Sequence, residues 1–406
     1  MAGAFALSIG VVCLQVIPLP TAVLTWVSPA TVSLLQRYDA GAVLPVELQR
    51  ARHAVSIGPA QTWHSLTLLV PLVLFAVGTM ALLPRIRLER LVRGVTAIAV
   101  VVAVFGIVQH ATYNAAPYWV WTGASGVGTP FGPFMNRNHF AGWMLMAMPL
   151  AGGYLCALIA EAFGPEPTWS RRMAWLGSRD ATLLAMFAFA FGVMAISVVW
   201  TGSRSGMLAL TVMIILIGLR VSMKLTGARR FVGAALVLLT LTIAISWRGA
   251  AAVVDSYGDT EDFNWRVRVW QQTIPIVRDF RWLGSGLGTY AIATETDLRF
   301  DPRLHTNEAH NDYVQLLTEG GVAVSAAAFI CVLVLTVRIW RAFGEPQPSR
   351  TAWIRAGATV GLLAIAIQEI SDFSLQLPGN AVLFALLIAI AAHRSRRIEP
   401  NTASSR

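Results

Sequence analysis

Long apolar blocks dominate this chain and are separated by short polar stretches. Blocks of about 16 to 23 residues, long enough to cross a hydrocarbon core of roughly 30 Å with flanking residues reaching out, fall near 4–26, 63–83, 94–111, 139–160, 181–203, 205–219, 231–247, 320–337, 352–371 and 378–393. The pattern predicts an all-α fold: a polytopic transmembrane helical bundle of about ten spans. One segment breaks it. Between 248 and 319 the chain turns polar and ends in Asn307-Glu-Ala-His310-Asn-Asp-Tyr-Val-Gln315-Leu-Leu-Thr-Glu319-Gly-Gly just before another apolar run. A long water-exposed segment in a membrane protein points to work done there. We expect a helical extracytoplasmic cap.

Composition agrees with the pattern: 56% of the 406 residues are apolar, 13% are charged, and the mean hydropathy is +0.61. Soluble domains do not use residues in that way. Residues 1–20 lack the basic n-region and small-residue cleavage pattern of a signal peptide, so they are read as a span. Cys13, Cys156 and Cys331 each lie in an apolar run without a near partner, which excludes a disulfide framework and zinc-ligand spacing. The net charge of +10 does not point to nucleic acid, because the basic residues sit at the ends of spans. Nineteen of the 31 Lys and Arg fall in 84–93, 161–180, 220–230, 338–355 and the tail from 394; twelve fall in the alternate loops, seven of those in the single long one. The positive-inside rule then places both termini in the cytoplasm and the long loop, Arg204 and Asp372 outside. The expected organisation is N-terminal helices over 1–129, a core over 130–393 that includes the 248–319 loop, and a basic tail over 394–406.

Candidate chemistry gathers on the outer face. Arg204, within Thr201-Gly-Ser203-Arg204-Ser-Gly206, is separated from Arg220 by fifteen uncharged residues, a helical rise of only roughly 24 Å. One of the two must snorkel or be held inside, and a permanent cation lining a polar cavity is usually functional. Its planar fork suits phosphate oxygens. Arg266 and Trp270 share a helix face in the loop, where a basic surface helix is the competing reading. Gly284-Ser-Gly286-Leu-Gly288 is read as turns, since no strand-turn-helix unit frames it as a nucleotide cradle. His310 is expected on a helix capped by Asn307 and closed by Gly320-Gly321, sharing a face with Tyr313 while Asn311 and Gln315 form a polar stripe. His305-x-x-Glu308-x-His310 misses metal-site spacing, and no metal is expected. Asn136 and Asn138 open a span, where they can serve as caps, and Asp372 lies at another outer mouth.

Taken in order, Phe134-x-Asn136-x-Asn138-x-Phe140-Ala-Gly142, Ser203-Arg204-Ser205-Gly206, Arg266-x-x-x-Trp270, Gly284-x-Gly286-x-Gly288 and His310-Asn-x-Tyr-x-Gln315-x-x-x-Glu319-x-Gly321 resemble the O-antigen ligase and polymerase superfamily of membrane glycosyltransferases. The resemblance covers about residues 130–380. It implies transfer of a glycan from an undecaprenyl-diphosphate carrier to an acceptor hydroxyl outside a bacterial inner membrane. Lipid A-core, a growing polysaccharide or a protein would accept it. Carried over, Arg204 and Arg266 hold the diphosphate and His310 is the general base, with Asn136, Asn138, Ser203, Asn311, Tyr313, Gln315, Glu319 and Asp372 in support. No Asp-x-Asp motif is present, in keeping with metal-independent transfer without a cofactor, and direct displacement would invert the anomeric centre. Members often carry one helix pair more, so the resemblance implies that this start omits an initial pair. A transporter of a lipid-linked sugar or small anion is the alternative from another class; against it, the spans show no repeat-related broken halves and the polar groups gather on one face.

Overall fold

The computed structural model describes residues 1–38, 52–113, 116–120, 130–162, 174–224, 261–304, 306–344 and 349–393. The expected span at 231–247, His305 and the tail from 394 lie outside the described residues. The protein is an all-α polytopic membrane fold, with seven helices among the described residues long and apolar enough to cross a bilayer.

The expected first span at 4–26 is not one helix. It divides into α1 (Ala2–Leu14), a two-residue strand Leu19–Pro20 paired antiparallel with Arg52–His53, and α2 (Thr21–Val27). Pro18 and Pro20 each lack an amide donor and push the preceding residue out of the helical region, which overrides the apolar composition. Ser28-Pro29 ends α2 in the same way and starts α3 (Pro29–Tyr38) with proline in its first turn, where it is tolerated. Next come α4 (Pro59–Leu82), α5 (Leu88–Ala111), α6 (Arg137–Ala162), α7 (Arg179–Thr201) and α8 (Arg204–Lys224). After the undescribed stretch follow α9 (Glu261–Asp279), α10 (Tyr290–Thr296), α11 (Asp312–Phe343), α12 (Ser349–Gln368) and α13 (Pro378–Ala391). At 14 residues, α13 rises only roughly 21 Å.

Helix α6 is apolar on every side, and 89% of its span is buried inside the protein, as a central helix must be. Small residues set how closely α12 approaches it. A Cβ on Gly153 would fall 2.5 Å from the Trp353 carbonyl oxygen, and one on Gly357 would strike the Pro149 carbonyl. Backbone-to-backbone packing of this kind replaces the hydrophobic drive that lipid does not supply. At the end of the bundle away from Arg204, the buried Arg355 donates to Ala342 O at 2.9 Å and Ala391 O at 3.2 Å, while Arg220 lies over the rings of Phe343 and Trp353. Cations at helix C-termini are favourable. Arg220 therefore finds its place at that end.

The cap carries its own small core of Val269, Ile276, Phe280, Ala293, Phe300 and Leu304, fed by the amphipathic face of α9. It joins the bundle where α11 breaks. Gly321, at φ 57 and ψ −163, interrupts the helix and leaves backbone groups without intrahelical partners. The glycine loop takes them up. Ser285 N donates to Thr318 O and Gly286 N to Glu319 O, both at 3.0 Å, while Val322 N and Ala323 N donate to the carbonyls of Arg281 and Trp282. Glu319, only 4% exposed, accepts from Gly288 N at 2.9 Å and Tyr290 N at 3.0 Å. Gln15, at the end of α1, donates to Leu283 O and Glu319 O and accepts from Leu287 N. The loop forms turns, as its glycines predict, and its function is to fasten the cap.

Gly286 sits at φ 114, and a Cβ there would press into Ser56 and fall 2.8 Å from Thr62 Oγ1. Left-handed strain and overpacking each cost about 1–3 kcal/mol. Gly286→Ala is expected to lower the thermal midpoint of the detergent-solubilised protein by several degrees, whereas Gly78→Ala, inside α4 with open space around it, leaves the midpoint unlowered or slightly raised.

Candidate active site

Two helices begin with arginine on the cap side of the bundle. Gly202, in the left-handed region at φ 65, ends α7, and the Ser203 hydroxyl accepts from Gly206 N at 3.1 Å, so the chain reverses in two residues and α8 opens on Arg204. Asn136 Oδ1 accepts from Asn138 N at 2.9 Å, and α6 opens on Arg137. A cation at a helix N-terminus faces the positive end of the dipole, an unfavourable place unless an anion joins it. A third arginine comes from the cap: Arg266 of α9 donates to Ser371 O and pairs with Asp262 Oδ2 at 3.2 Å, while its Nε is buried without a hydrogen bond. The charges of Arg204, Arg266 and Asp262 all reach Arg137. Three guanidinium groups thus gather on this side of the bundle, with Asp262 and the buried Asp372 as carboxylates that act on the cluster among the described residues.

His310 is not on a helix, contrary to expectation. α11 starts at Asp312, and its N-cap is Asn311, not Asn307: the Asn311 side chain accepts from Tyr313 N and Val314 N, both at 3.0 Å. His310 precedes that cap in the left-handed region at φ 49, a conformation unusual for a residue with a Cβ. Its neighbours enforce it. Ala309 is fixed on both sides, its carbonyl accepting from Trp270 Nε1 at 2.8 Å and its amide donating to Gln315 Oε1 at 3.0 Å, while Asn311 is locked by the cap. Strain over-determined in this way is a recurrent property of working sites.

The His310 ring meets Phe373 and Trp265 edge-on at 4.9 and 5.4 Å, and Nδ1 is buried without a partner. Burial, followed by the charge of Arg266, pushes the imidazole down to about 4, against the opposing pull of Asp372 and Asp262. At neutral pH it is therefore uncharged and able to accept a proton. Phe373 also packs against His139 at 4.6 Å, so one ring separates two imidazoles. His139 Nε2 lies 3.7 Å from Asp372 Oδ1. Asp372 is fully buried and is held through Oδ2 by Gln368 Nε2 and Ser374 Oγ, each at 3.1 Å; the same Gln368 amide donates to Asn138 O at 2.7 Å.

The structure thus brings Arg204, Arg266, His310 and Asp372 into one neighbourhood. It gives Asn136, Ser203 and Asn311 to capping, and the Asn138 backbone to the Gln368 bridge. Tyr313 donates to Ala366 O at 2.7 Å, which ties α11 to α12. Gln315 bridges Glu308, Glu319 and Gln376, so Gln315 and Glu319 build the cap junction. Arg137 and His139 were missed by the sequence reading. Both lie inside the Asn136–Asn138 motif and its next residue, and an arginine opening an outer span was a signal equal to that of Arg204.

Residues 189–330 match the family model described as O-Antigen ligase, a stretch that includes Arg204, Arg266 and His310 and excludes Arg137, His139 and Asp372. No curated protein matches the chain significantly.

Three guanidinium groups on one side of the bundle suit the oxygens of a multiply charged phosphate. Inorganic pyrophosphate is expected to bind the purified chain in a salt-sensitive manner by calorimetry. Arg137→Ala, Arg204→Ala and Arg266→Ala are each expected to weaken it about tenfold or more, at about 1.5–3 kcal/mol per charged hydrogen bond.

Proposed function

We propose that this chain, whose residues 189–330 match the O-antigen ligase family model, is a membrane glycosyltransferase that moves a glycan from undecaprenyl diphosphate to an acceptor hydroxyl. One observation carries the reading: arginines from two helix N-termini and from the cap lie near enough to act on one another beside a half-buried, uncharged His310. The diphosphate belongs among Arg137, Arg204 and Arg266. An acceptor hydroxyl oxygen attacks the anomeric carbon and its proton passes to the His310 imidazole. The carbon–oxygen bond to the diphosphate breaks, and the electron pair leaves on a phosphate oxygen already faced by the guanidinium groups. A single displacement inverts the anomeric configuration. The excess of basic residues in the loops opposite the site, nineteen of 31, supports a site on the outer face of a bacterial inner membrane with both described ends of the bundle inside. The acceptor, whether lipid A-core, polysaccharide or protein, is read by the cap.

Donor binding also prepares the base. Arg266 helps hold His310 down, and an anion set against Arg266 cancels that influence and raises the imidazole. The pH dependence follows with its sign. In the free protein the base is competent above about 4, so kcat/KM for the donor loses activity only as the pH falls toward that value; kcat, which reports the donor complex, is expected to fall at a higher pH.

With purified chain and lipid-linked donor, His310→Ala is expected to lower transfer about 10²–10⁴-fold while donor binding persists. Arg204→Ala and Arg266→Ala lose both. Full transfer by His310→Ala, or substrate uptake into proteoliposomes without any transfer, would contradict the proposal.

A further inference from the structure

The cap holds a concave site that shares no residue with the arginine–histidine cluster. A cavity of about 330 Å³ opens between α3, the C-terminal end of α9, α10 and the turn at Asp297–Arg299. That volume lies within the roughly 300–1,000 Å³ typical of small-ligand pockets. Its floor is apolar, formed by Leu34, Ile276 and Phe280. Its rim is polar and charged. Arg299 donates through Nε to Asp297 Oδ1 at 2.8 Å and through NH2 to Asp279 Oδ2 at 2.5 Å and Asp297 Oδ2 at 2.6 Å. Arg37 comes from α3, close enough for its charge to act on Asp297, and Ser33, one turn earlier, presents an exposed hydroxyl side chain.

Two features define the ligand class. The charges balance, Arg37 and Arg299 against Asp279 and Asp297, so the pocket has no preference for an anion or a cation. Planar carboxylates and guanidinium groups around an apolar floor match a ligand with a carbon–hydrogen face and adjacent hydroxyls, which is a pyranose ring. Placement points the same way. Asp279 and Arg266 lie on one helix, thirteen residues apart, which at 1.5 Å per residue is roughly 20 Å. We propose that this cavity is a distal saccharide subsite, engaging sugar units of a glycan chain some distance from its reacting end.

The inference rests on the glycosyltransferase reading, but binding tests it without transfer. The probes are lipid-free oligosaccharides released by mild acid from the lipid-linked donor and, in a second arm, from the acceptor glycan. Binding to the full chain in nanodiscs is followed by saturation-transfer NMR. Ser33→Trp, an exposed position from which the indole fills the cavity, is expected to weaken binding about tenfold, and Arg37→Ala at least threefold. His310→Ala is expected to bind as wild type does. The arm that binds tells whether donor or acceptor glycan occupies the site. Absence of binding to wild type in both arms, or unchanged binding in both Ser33→Trp and Arg37→Ala, overturns the subsite. Ser33-dependent binding by a chain that performs no transfer would leave the subsite standing and overturn the enzyme instead.

Discussion

A helix cannot be broken inside a membrane protein without new partners for the backbone groups that the break exposes. That constraint governs the join at Gly321. The carbonyls of Thr318 and Glu319 and the amides of Val322 and Ala323 are all taken by the segment Arg281–Gly286, and the Glu319 carboxylate binds the loop's last amides. Since the partners of the kink lie in the cap, the cap's position over the bundle is fixed by hydrogen bonds that have no substitute. α1 is drawn into the same join through Gln15.

The placement of the chemistry follows. From this join, α9 is directed across the bundle, so that Arg266 reaches Ser371 and Trp270 holds Ala309 beside His310. Arg137 and Arg204 wait below on helix starts, where the dipoles add to their positive charge. At the other end Arg355 rests on helix C-termini, a stable arrangement in itself. The contrast is informative. Cations at C-termini stabilise the fold, whereas cations gathered at N-termini are a local cost that a bound anion would offset.

Most of the bundle was legible in the sequence, because uninterrupted apolar runs leave a bilayer helix few alternatives. The run at 4–26 misled: hydropathy counts composition, and Pro18 and Pro20 act through geometry. Arg204 and Arg266 could be read because a permanent charge among apolar or aromatic neighbours requires a reason. The backbone of His310 could not. Its left-handed turn is imposed by Trp270 and Gln315, contacts that span 39 and 6 residues and appear in no local pattern. Asn307 and Asn311 were equally good caps on paper, and tertiary bonding selected the second. Glu319 was named through the motif that runs from His310 to Gly321, and its carboxylate accepts from amides of the distant glycine loop, a pairing that no local pattern shows.

On the proposed reading, the cap and the two helix starts form one receptor for a lipid diphosphate beside His310. Single-particle cryo-electron microscopy of the full chain in nanodiscs with undecaprenyl diphosphate addresses it directly. Phosphate density bounded by Arg137, Arg204 and Arg266 is expected, with His310 facing the terminal phosphate. Phosphate density away from these arginines, with the three side chains and His310 unoccupied, would contradict it.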